Sequence, residues 1–188
     1  MKNLKIFFLT LLSTTIILSC DDDDDTPAPI NEEETITTLI LTLEERNNPT
    51  AQPIEFSFQD LGAGTVTIAD GFTLTANANY RATVQVLDET DPNDVEDITE
   101  EVEEEDDEHQ FFYLLPNSNI TVLYNDSDDD GNPIGIETTF DVGAAESGTM
   151  TVTLLHEPDK DAAGVSDGDP TNAGGETDIS VNFNYDVQ

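Results

Sequence analysis

Apolar and polar residues alternate with a period of two along most of this chain. Ile54, Phe56 and Phe58 alternate with Glu55, Ser57 and Gln59, and Ala82, Val84 and Val86 with Arg81, Thr83 and Gln85. Ile179, Val181, Phe183, Tyr185 and Val187 alternate with Asp178, Ser180, Asn182, Asn184 and Asp186. Successive strand side chains point to opposite faces, so each run reads as a strand with one dry and one wet face. Residues 35–43, 110–115, 120–124, 134–142 and 149–156 read the same way. About eight strands result, separated by clusters of Gly, Pro, Asn and Asp. The pattern predicts an all-β fold, an antiparallel β-sandwich of the immunoglobulin-like type, with a closed barrel as the alternative.

One segment departs from the alternation. Asp97 with Glu100 has capping-box spacing, and Ile98 and Val102 lie four apart, which predicts one short helix. Acids continue to Glu108 and oppose the dipole at its C-terminal end, so the helix should be brief. Residues 157–176 form a long loop rich in Gly and Pro.

The amino terminus follows a different logic. Lys2 and Lys5 precede an apolar run from Ile6 to Leu18, shorter than the roughly 20 residues a membrane span needs. The run ends at Ser19-Cys20, and Cys20 is the only cysteine. Residues 1–19 therefore read as a lipoprotein signal peptide, with Cys20 as the lipidated first residue. Acyl chains stabilise anchoring by about 0.8 kcal/mol per buried methylene, so the lipid on Cys20 would hold the protein to a membrane without a spanning helix. Acylation also removes thiol chemistry. The polar stretch 20–34, which opens on Asp21 to Asp25, reads as a disordered tether, and 35–188 as the sandwich domain.

Charge narrows the function classes. The full chain carries −37. Without Lys2 and Lys5, only Arg46, Arg81 and Lys160 stand against 42 acids, a net charge of −39. Such a field opposes nucleic acid and anionic surfaces, and favours solubility, cations or basic partners.

Two constellations carry candidate chemistry. Asp126-Ser-Asp128-Asp-Asp130-Gly131, followed by five residues and Glu137, matches the calcium-loop spacing. Its flanks alternate like strands rather than helices, so the same residues also suit an acidic hairpin turn. The second constellation is the only two histidines, His109 and His156, each beside a glutamate (Glu108, Glu157). One opens a strand and the other closes one. If those strands are neighbours, the imidazoles and nearby carboxylates can hold a transition metal. No phosphate loop or catalytic triad stands out, and the sequence fixes no cofactor, with calcium the candidate.

Several stretches resemble a group of small Bacteroidetes lipoproteins often labelled "type 1 periplasmic binding fold superfamily protein". They are residues 97–105, Glu108-His-Gln-Phe-Phe, Asp130-Gly-Asn-Pro-Ile-Gly, Leu155-His-Glu-Pro-Asp-Lys160 and residues 171–179. That label implies two α/β lobes, whereas length and alternation here imply one β-domain. In such bacteria, acids directly after the lipidated cysteine resemble a surface-export signal. The expectation is an outer-membrane lipoprotein, periplasmic or exposed at the cell surface. It would be non-enzymatic, binding an unidentified protein or small-molecule partner, with calcium ordering the Asp126 hairpin. The alternative is a metal-binding protein or metal-dependent enzyme built on His109, His156 and nearby carboxylates.

Overall fold

A computed structural model describes residues 34–48, 50–62, 66–69 and 71–188. The expected signal segment, Cys20 and the acidic run after it lie outside the described residues. Among the described residues are eleven strands and one α-helix. No described helix is long and apolar enough to cross a membrane.

The strands are β1 (Thr38–Glu45), β2 (Ile54–Asp60), β3 (Val66–Ile68), β4 (Phe72–Leu74), β5 (Asn79–Asp88), β6 (Glu96–Asp97), β7 (His109–Leu114), β8 (Ile120–Tyr124), β9 (Glu137–Val142), β10 (Glu146–His156) and β11 (Glu176–Val187). One sheet runs β3-β2-β1-β5-β9-β8, with β6 paired to β5, and the other runs β4-β11-β10-β7. All pairings are antiparallel except that of β11 with β4. The expected antiparallel sandwich is present, and the strands beyond the expected eight are the short β3, β4 and β6.

Alternation builds the core. Leu39, Leu41, Leu43, Phe56, Tyr80, Ala82, Val84, Val86 and Phe140 from the larger sheet pack with Phe111, Met150, Val152, Leu154, Val181 and Phe183 from the smaller one. Burying each such side chain stabilises by roughly 1.5–3 kcal/mol. In β11 the alternate residues Ile179 to Val187 are all buried and those between them exposed. The strand expected over 134–142 begins only at Glu137. Ile134 and Ile136 are nevertheless buried, and their carbonyls accept from Phe111 N and Val84 N.

The helix α1 (Ile98–Glu104) is as short as its charges imply. The Asp97 carboxylate accepts from Thr99 N at its start, Ile98 and Val102 are buried, and no basic residue supports its last turn. The loop after β10 is well anchored. Val165 and Ala173 form a second small core with Phe112 and Leu155, and Gln110 Nε2 donates to the Val165 carbonyl at 3.0 Å.

Candidate metal centre

The two histidines meet because of strand register. β7 and β10 pair so that His109 stands directly opposite His156. Their ring centroids are 4.6 Å apart, with 41° between the planes. His109 shares the phase of Phe111 and Tyr113, and His156 that of Val152 and Leu154, all members of the main core. Both imidazoles are therefore buried.

Two carboxylates complete the group. Asp178 enters from β11 through a β-bulge. Leu154 pairs with Ile179 but Leu155 with Thr177, which leaves Asp178 as the extra residue. A bulge re-aims side chains. It takes Asp178 off the wet face that simple alternation assigns to it, and its side chain is 1% exposed. Glu34 enters from the residues before β1. The expected boundary leaves Glu34 in the tether, but its carboxylate is 6% exposed and lies against both rings.

The distances are informative. His109 Nε2 lies 3.4 Å from Glu34 Oε1, His156 Nδ1 lies 3.6 Å from Glu34 Oε2, and His156 Nδ1 lies 4.0 Å from Asp178 Oδ1. One ligand atom from each of Glu34, His109, His156 and Asp178 fits within 4.8 Å of the others. Charge-assisted hydrogen bonds between such groups run at about 2.7–2.9 Å, so these contacts are too long. Glu34 Oε2, His109 Nε2 and His156 Nδ1 are buried and form no hydrogen bond. Zinc bonds of about 2.0–2.2 Å in a tetrahedron put neighbouring ligand atoms roughly 3.3–3.6 Å apart. The 3.4 and 3.6 Å spacings, made by the two different oxygens of Glu34, fall in that range, and the 4.0 Å spacing to Asp178 lies outside it, so the groups would have to close in around an ion.

The surroundings orient both rings. His109 Nδ1 is 3.1 Å from the carbonyl of Glu105, just past α1. Because a carbonyl only accepts, the proton belongs on Nδ1 and the Nε2 lone pair faces the cluster. On the far side of His156, Nε2 is 3.7 Å from the half-exposed carboxylate of Glu108. Metal-bound histidines commonly present their other nitrogen to a carbonyl or carboxylate, as His109 does here, whereas His156 Nε2 forms no hydrogen bond. Burial, then the negative charge of Glu34 and of neighbouring acids, raises the pKa of Glu101 on α1 above its ordinary range.

The Asp126 hairpin is organised differently. Asp126 Oδ1 accepts from Gly135 N at 2.8 Å and Oδ2 from Glu137 N at 2.6 Å. Asp128 Oδ1 accepts from Asp130 N and Asn132 N, and Oδ2 from Lys160 Nζ at 3.1 Å. Lys160 is buried, and its ammonium also donates to the carbonyls of Asp106 and Pro133. Glu137 pairs with Arg81, while Asp130 is exposed. Among the described residues, the groups able to share an ion do not include Asp126, Asp128, Asp130 or Glu137. Backbone N–H groups and one lysine are the donors to the Asp126 and Asp128 carboxylates. Burial pushes the Asp128 carboxyl up, but Lys160 and the two backbone donors outweigh it and hold it below its ordinary value.

No protein-family model, curated protein or solved structure matches the chain.

Proposed function

We propose that this protein is a non-enzymatic, zinc-holding β-sandwich, displayed at the cell envelope through a lipid on Cys20. One observation carries the metal reading. Glu34, His109, His156 and Asp178 each bring one ligand atom within 4.8 Å of the others, and Glu34 Oε2, His109 Nε2 and His156 Nδ1 are buried there without a hydrogen bond. Glu34 Oε2 is a buried carboxylate oxygen that accepts no hydrogen bond, and a buried charge so placed costs several kcal/mol. A divalent cation would offset that cost here.

The donor set selects the ion. Two imidazoles and two carboxylates suit zinc, whereas calcium takes six to eight oxygens. Closure argues for a structural role. Four protein ligands fill a tetrahedron, and with side chains 0–6% exposed no position is left for substrate. The ion would join the start of the larger sheet, at Glu34, to three strands of the smaller one. It would close a long loop, as a disulfide does in chains that have spare cysteines.

Zinc titration by calorimetry, followed by thermal melting, tests the reading. The expected result is one equivalent of zinc and a rise in Tm of about 6–10 °C at a hundredfold excess over Kd. His109→Ala and His156→Ala should each abolish both effects. A wild-type protein that takes up no zinc at neutral pH would overturn the metal reading. For the anchor, incorporation of labelled fatty acid should vanish in Cys20→Ala, and its persistence there would rule Cys20 out.

A further inference from the structure

One of the four ligands is held unlike the rest. His109, His156 and Asp178 lie on β7, β10 and β11, the histidines paired with each other across the ladder and Asp178 at a bulge between paired neighbours. Glu34 lies on residues 34–37, which belong to no strand. Firm backbone attachment of this lead-in is seen at Thr37. Its N–H donates to Leu87 O, its carbonyl accepts from Asp60 N, and its hydroxyl accepts from Glu89 N. Between that fixed point and the cluster stand only Thr35, which is exposed, and Ile36, which is partly buried against the core.

We propose that the ion is a latch for this lead-in. It rests on the zinc reading above. With zinc bound, the Glu34 carboxylate ties residues 34–36 to the smaller sheet. Without it, those residues swing outward about Thr37 and the carboxylate becomes hydrated. The charges dictate the direction. Glu34 faces Asp178 across the cluster, Glu108 lies on the far side of His156, and Glu101 on α1 feels its field. Removing a divalent cation from among these acids leaves like charges in a medium of low dielectric, where their repulsion is strong. Relief goes to the group that can move with the fewest broken backbone bonds, and that group is Glu34. Metal occupancy then determines whether residues 34–36 pack against the smaller sheet. The three strand-borne ligands stay in place as a preformed site.

Hydrogen exchange read by mass spectrometry, on zinc-loaded and chelator-stripped protein, tests the latch. Zinc should slow exchange in a peptide covering residues 34–38 by about tenfold or more, while a peptide covering 149–156 changes less than about twofold. Glu34→Ala should still take up zinc, more weakly, through the remaining three ligands. Its 34–38 peptide should exchange at the stripped rate even at saturating zinc. One-to-one zinc binding with identical 34–38 exchange in loaded and stripped wild type would overturn the latch and leave the metal reading standing. Protection of that peptide by zinc in Glu34→Ala would overturn it equally. Absence of zinc uptake by the wild type would remove both.

Discussion

His109 and His156 stand opposite each other on β7 and β10, 4.6 Å between ring centroids, and turn different nitrogens toward Glu34. His109 presents Nε2 because its Nδ1 faces the Glu105 carbonyl, and His156 presents Nδ1 with its Nε2 3.7 Å from Glu108. A ligand nitrogen must be unprotonated, so protons compete with zinc for both rings. The apparent zinc affinity should therefore fall as pH drops, approaching about two decades per pH unit once protons compete for both rings. Calorimetry from pH 5 to 8 measures this. A flat profile would mean that the histidines are not the ligands.

The pair Lys160–Asp128 gives a second test, independent of zinc. Both side chains are at most 5% exposed, and Lys160 Nζ also reaches two carbonyls. Lys160→Met should cost about 3–5 kcal/mol, because it strands a buried carboxylate. The double variant Lys160→Met, Asp128→Asn should recover part of that loss. The native carboxyl of Asp128 lies below its ordinary value. Its contribution is thus in place above the usual carboxylate range, near about 3.9, and is lost as pH falls through the lower native value. Urea unfolding between pH 2 and 7 should show a shallower acid limb in Asp128→Asn. Equal limbs would disprove the assignment.

Asp97 accepts from Thr99 N at the start of α1 and also binds Gln85 Nε2 at 2.7 Å. Asp97→Ala should lower stability by about 1 kcal/mol, the usual cost of losing such a cap. The Glu105 carbonyl that orients His109 lies at the other end of the helix. Zinc affinity should consequently stay within about twofold of wild type. A larger loss of affinity would show that the whole helix, and not only its last carbonyl, positions His109.

These positions also mark what was legible in the sequence. Period two exposes strands wherever one face is dry, so β2, β5 and β11 could be read directly. His109 and His156 could be named as the only imidazoles, but their meeting depends on the register between β7 and β10, which no local pattern encodes. Asp178 was hidden because a bulge inverts the face that alternation assigns. Glu34 was hidden because a glutamate beside Glu32 and Glu33 looks like more of an acidic tether. The Asp126 motif has calcium spacing, and the ammonium that pairs with its Asp128 arrives from residue 160, beyond any local reading.

The adjacent glycines Gly174 and Gly175 separate two kinds of strain close to the site. Both have positive φ, 60° and 72°. A Cβ on Gly174 would meet nothing within 4 Å, whereas one on Gly175 would come within 2.3 Å of the His156 carbonyl oxygen. Gly174→Ala should therefore cost only the left-handed backbone, about 1–2 kcal/mol, with zinc affinity unchanged. Gly175→Ala carries the same backbone cost and also pushes against the backbone of His156, so something must shift. It should lose more than about 2 kcal/mol and weaken zinc binding at least about tenfold, because ligand placement tolerates only about half an ångström. Melting and zinc calorimetry on the two variants, side by side, measure the difference. Equal zinc affinities would show that the approach of Gly175 to His156 does not position the imidazole.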